Sequence, residues 1–124
     1  MGQKFKSTGT LTMAQAGANN TVIAAPNPAT VNGFTQEHFI RRIYAERVDS
    51  TDVTLIFQNN ANPVREVLPR FTLNSDKGAI WLEFDDKTEV GVGGGLALIV
   101  DASVGNKAKV WVEYLTSSAQ TWPS

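Results

Sequence analysis

The sequence predicts an all-β chain, an antiparallel β-sandwich of about eight strands with an extended N-terminal arm. Three observations carry this. Apolar residues recur at every second position in short segments, a period that puts alternate side chains on one face of a strand. The segments are separated by Gly, Asn and Pro clusters such as Asn59-Asn60-Ala61-Asn62-Pro63 and Asp76-Lys77-Gly78, which are turn chemistry. Val and Thr each occur twelve times, a β-branched enrichment suited to a pleated surface.

Taken in order, residues 3–13 alternate Phe5, Leu11 and Met13 with Lys4, Lys6, Thr8, Thr10 and Thr12, which makes a half-buried strand. Residues 21–25 form a second, short strand, closed by Pro26-Asn27-Pro28, and a loop runs through Asn32-Gly33. Residues 37–48 fit two periods. Phe39, Ile40, Ile43, Tyr44 and Val48 make a helical stripe with Thr35 as N-cap and Glu37 four residues before Arg41. The flanking segments are all strand-like, and strand is the assignment made.

Val53, Leu55 and Phe57 then alternate with Thr54, Ile56 and Gln58. Residues 67–73 contain Pro69, which confines that strand to an edge or a bulge. In residues 79–84, Ile80, Leu82 and Phe84 face opposite to Trp81 and Glu83. Gly93-Gly94-Gly95 introduces an apolar strand at 96–100, and residues 109–115 close the series with Val110, Val112 and Tyr114 opposite Lys109, Trp111 and Glu113.

Composition divides the chain into an N-terminal arm with the first strands (1–34), a β-sandwich body (35–116) and a C-terminal tail (117–124). The arm holds two charges, Lys4 and Lys6, whereas all twelve acids lie after residue 34. Its large apolar groups are Phe5, Leu11, Met13, Val22, Ile23, Val31 and Phe34. At about 1.5–3 kcal/mol each when buried, they fall short of the roughly 1–2 kcal/mol per residue needed to order the backbone. The arm must therefore lie against the rest of this domain or against another subunit.

A length of 124 residues fits one domain. Eleven Lys and Arg against twelve Asp and Glu give a net charge of −1, a balance that disfavours direct nucleic-acid binding. With no Cys, thiol chemistry, disulfides and Cys-ligated metals are excluded. The longest apolar run, 96–100, is strand-sized, so no membrane helix is expected. The start, Met1-Gly2-Gln3-Lys4-Phe5-Lys6-Ser7, reads as neither a signal peptide nor a myristoylation site.

The chemical candidates are few. His38 is the single histidine, and no Ser stands in a nucleophile elbow, so His38 reads as a strand residue near a surface or subunit contact. Glu83, Asp85, Asp86 and Glu89 cluster, but their order matches no EF-hand and suits a solvated turn. The run Gly91-Val92-Gly93-Gly94-Gly95-Leu96 lacks the glycine and following helix of a dinucleotide loop. No cofactor or metal is expected, and the chain reads as a non-enzyme. Trp81, Trp111 and Trp122 are the residues suited to stacking; Trp122, in a polar tail, suits a partner's pocket.

Four segments, Phe39-Ile40-Arg41-Arg42-Ile43, Val53-Thr54-Leu55-Ile56-Phe57-Gln58, Gly94-Gly95-Leu96-Ala97-Leu98-Ile99-Val100 and Val110-Trp111-Val112-Glu113-Tyr114, follow one another in an order that resembles the small jelly-roll structural proteins of tailed-bacteriophage virions. The resemblance covers about residues 38–116 and lies in pattern, not in an invariant motif. It implies a jelly-roll capsid decoration, or cement, protein that trimerises and stabilises the major capsid shell through its arm. Such a protein is made in the host cytoplasm and sits on the capsid exterior. Lys4, Phe5, Lys6, Leu11 and Trp122 are the expected partner-binding residues, with further copies of the chain and the major capsid protein as partners. The alternative is a carbohydrate- or receptor-binding β-sandwich domain of a phage tail or fibre, using exposed Trp or Tyr.

Overall fold

The computed structural model describes residues 5–84 and 90–117. Twelve strands are formed among them: β1 (Lys6–Ser7), β2 (Leu11–Thr12), β3 (Gly17–Ile23), β4 (Thr30–Val31), β5 (Phe34–Thr35), β6 (Glu37–Arg47), β7 (Val53–Asn59), β8 (Phe71–Leu73), β9 (Ala79–Glu83), β10 (Val90–Gly91), β11 (Leu98–Ala102) and β12 (Ala108–Ser117). Every pairing between them is antiparallel. Each of the eight expected segments contributes strand. The higher count arises because the first segment splits at Gly9, and because β4, β5 and β10, of two residues each, are too short to carry a period.

One sheet has six strands, with β1 and β2 on one side of β12, then β6, then β9 and β10 sharing the far side of β6. The second has the order β3-β11-β7-β8, and β4 with β5 forms a separate hairpin. Ile40, Ile43, Val110 and Val112 from the first sheet and Leu55, Phe57, Leu98 and Val100 from the second share one core. The sandwich arrangement follows from the alternation, since each sheet has one apolar face to cover.

The segment with two competing periods is β6. Pairing with β12 runs in step from Arg47↔Ala108 to Arg42↔Glu113, then jumps to Ile40↔Tyr114, leaving Arg41 as the extra residue of a bulge. The bulge reverses parity, so Ile43 and Ala45 before it and Ile40 and His38 after it all point inward. A three-residue gap between Ile40 and Ile43 thus imitates a helical turn inside a strand.

Most of the described part of the first third lies within the sandwich. β1 and β2 add to β12, Thr8 bonds Val112 through its backbone N–H (3.0 Å), and Met13 donates to the Ala108 carbonyl (2.9 Å). β3 is one of the two outer strands of the four-stranded sheet, and Met13, Val22 and Ile23 belong to the core. The arm's apolar groups therefore find cover on their own chain between residues 6 and 23. Close approach fixes one of the returns: a Cβ on Gly105 would meet the Ala14 carbonyl oxygen at 2.8 Å.

Polar side chains tie the ends of the sandwich. Asn59, 1% exposed, donates from Nδ2 to the Val92 carbonyl (2.9 Å) while its Oδ1 accepts from the amides of Ala61 (3.1 Å) and Arg65 (3.2 Å). The glycine run is an inter-strand bend, as its sequence suggests: Gly93 has φ +122°, and its amide donates to Glu37 Oε2 (2.9 Å).

Candidate functional site

The outer face of the six-stranded sheet has a regular composition set by register. β9, β6 and β12 lie side by side, and their outward residues fall into three rows: Ala79, Glu46 and Lys109; Trp81, Tyr44 and Trp111; Glu83, Arg42 and Glu113. Alternation sends the partners of these residues, Ile43, Ala45, Val110 and Val112, into the core. An aromatic row therefore stands between two polar ones.

Trp81 and Trp111 sit on strands separated by β6, about 9.5 Å apart at ordinary sheet spacing, yet their ring centroids are 5.9 Å apart and their planes 13° from parallel. The indoles lean toward each other above the middle strand. Tyr44 stays beneath this pair, its ring 6.1 Å from Trp81 and its hydroxyl donating to Glu46 Oε2 at 3.2 Å. Removal from water and the Glu46 carboxylate both raise the Tyr44 pKa.

The neighbouring row fixes the edge of the aromatic one. The Arg42 guanidinium bonds Glu83 through Nε (3.1 Å) and Glu113 through Nη1 (2.7 Å), spanning three strands. Glu83 also accepts the Trp81 indole N–H at 3.0 Å. That bond, followed by Arg42, holds the Glu83 carboxyl below its usual range. Trp81 nevertheless remains 54% exposed, because β9 has no further strand beside it among the described residues.

A second feature lies at the same side of the sandwich, between the sheets. β8 and β9 are outer strands of different sheets, and between them opens an apolar cleft of about 370 Å³ with Leu68, Phe71, Ile80, Leu82, Phe84 and Val90 in its walls. Arg70 lines its rim and pairs with Glu66 (2.7 Å), which lowers the Glu66 pKa.

The expected partner residues are dispersed. Phe5 is 44% exposed, with the Arg41 guanidinium carbon 4.7 Å from its ring centroid, and Lys6 is exposed on β1. Leu11 packs against the core, which removes most of its side chain from any external contact. Lys4 and Trp122 lie outside the described residues, as do Asp85, Asp86 and Glu89 of the acidic cluster. Among the described residues no three His, Cys, Asp or Glu converge as a metal site.

His38 lies on a strand, β6, as expected, and is buried there, 5% exposed. Its Nε2–H donates to the Ala24 carbonyl (2.8 Å) and Nδ1 accepts from the Thr116 hydroxyl (2.7 Å), the tautomer that a carbonyl partner requires. Tyr114 meets the ring edge-on at 5.2 Å. Burial lowers its pKa, outweighing the Ala24 bond.

Sequence reasoning placed Trp81 and Trp111 correctly on the outer face but missed their contact, together with Tyr44 and the Arg42 bridge. The signal was present in Trp-x-Glu, Arg-x-Tyr and Trp-x-Glu, three period-two segments whose partnership only register reveals. In comparisons with known proteins, no family model, curated protein or solved structure matches the chain.

Proposed function

We propose that the chain is a non-enzymatic structural protein of a phage virion, of the capsid decoration type. Copies of it join into a trimer that rests on the major capsid protein at the outside of the shell. The observation that carries this reading is the apolar cleft between β8 and β9. Two outer strands from different sheets flank it, with half-buried apolar side chains between them. Unpaired strand edges beside apolar surface favour addition of another chain, and a closed ring of identical copies covers every such edge without leading to open fibres.

The arm enters this reading in a changed form. β1, β2 and β3, between residues 6 and 23, are built into the two sheets, so at this side Phe5 and Lys6, not a detached arm, are the surface offered to a shell. The test is the solution mass of the purified chain, followed by co-sedimentation with phage shells that lack it. Three copies of the 13.4 kDa chain per particle, and pelleting with shells, are the expected results. A monomer at all concentrations that fails to pellet with shells overturns the reading.

A further inference from the structure

We infer that the Trp81–Tyr44–Trp111 row is a binding platform for a neutral saccharide with equatorial hydroxyls, of the glucose or N-acetylglucosamine type. The inference does not rest on assembly at the cleft.

Pyranoses of this type present a face of axial C–H bonds, apolar and flat, which suits an aromatic ring face, while their hydroxyls project around the rim. Trp81 supplies such a face. Stacking on Trp111 occupies one side of its indole, and its 54% exposure on an outer strand leaves the ring open to solvent. The indole N–H is committed to Glu83 and the Arg42 guanidinium to two carboxylates, so the platform is held in place before a ligand arrives.

The polar groups beside the platform select the ligand class. The nine positions of the three rows carry three carboxylates, Glu46, Glu83 and Glu113, against two cations, Arg42 and Lys109, and Arg41, whose charge also acts on Glu83, adds a third. Charge cancels, which gives phosphate or acidic sugars no net attraction. Ionised carboxylates only accept hydrogen bonds, and each has about four lone-pair sites, more than the bonds to Arg42, Trp81 and Tyr44 consume. A ligand rich in hydroxyl donors and without charge complements that surplus.

The experiment titrates the full chain with soluble β-linked oligosaccharides of glucose and of N-acetylglucosamine, and with uronic acid oligomers as the anionic control, following tryptophan fluorescence. A saturable change with a neutral series but not with uronic acids is expected. Trp81→Ala weakens it at least tenfold, and Trp81→Phe, which keeps a ring but loses area and the N–H, weakens it less. Far-UV circular dichroism verifies that each variant is folded. No response to either neutral series, or a response that Trp81→Ala leaves intact, overturns the inference. So does loss of shell binding in Trp81→Ala without any saccharide response, which makes the face a protein contact.

Discussion

Trp81 and Trp111 stack across an intervening strand, so their contact couples β9 to β12 although neither strand pairs with the other. Aromatic pairs are worth about 0.5–1.5 kcal/mol beyond the area they bury. A double-mutant cycle of Trp81→Ala and Trp111→Ala, measured by urea unfolding, is expected to return a coupling energy in that range. Additive effects of the two substitutions would show that the rings do not stabilise each other.

The carboxyl of Glu83 has two partners of unequal weight: the Trp81 N–H first, then Arg42. Its folded pKa is depressed, so its stabilising contribution is present above the ordinary carboxylate value of 4.5 and is lost as pH falls through the lowered one. In Arg42→Gln the Glu83 titration, followed by NMR, is expected to move up yet stay below 4.5, because the indole bond remains. Complete return to 4.5 would assign the depression to Arg42 alone.

His38 imposes a pH dependence of its own. Burial lowers its folded pKa below the ordinary 6.5, so above that value both folded and unfolded chains hold it neutral and it exerts no pH effect. Below 6.5 the unfolded chain takes up the proton first, and stability falls with pH until the folded-state value is reached, where the loss levels off. His38→Gln, which can still reach Ala24 or Thr116, is expected to flatten the slope of stability between pH 6.5 and the folded value. An unchanged slope would mean that another group causes it.

Removing the start of the chain tests where the arm belongs. Met13 is 2% exposed and sits in the shared core, and its backbone is bonded to Ala108 and Asn106 (2.9 and 2.8 Å). Met13→Ala is expected to cost about 2–5 kcal/mol, the usual range for truncating a buried Met. Deleting residues 2–14 should therefore lower the melting temperature steeply, before any question of attachment arises. A deletion that leaves thermal unfolding unchanged would place these residues off the sandwich.

What the sequence made legible was period and punctuation. The two-residue alternation at Val53–Phe57 and at Val110–Val112 reads directly as core against surface, and Pro69 correctly marks its segment as an outer one. The β6 segment resisted because the Arg41 bulge inserts one residue into its period, and bulges are fixed by the partner strand's register, not by local propensity. The arm was undecidable for a related reason. Its choice between its own body and a neighbour depends on pairing Lys6 with Tyr114 and Leu11 with Val110, contacts about a hundred residues apart in sequence. The aromatic row is legible only once three strands are aligned.

The cleft reading makes its own prediction through Leu82, because β9 separates the two surfaces cleanly. Leu82 points into the cleft and Trp81, its neighbour, to the opposite face. Leu82 is only half-buried, so a Glu there can turn its carboxylate toward the open mouth, and the chain is expected to stay folded. In an assembled ring the same carboxylate would be shut away from water without a partner, a cost the assembly cannot absorb. Leu82→Glu is therefore expected to shift the solution mass to that of one chain while far-UV circular dichroism stays unchanged. Trp81→Ala should leave the mass as it is. The opposite pair of results, assembly lost in Trp81→Ala and kept in Leu82→Glu, would move the self-contact from the cleft to the aromatic face.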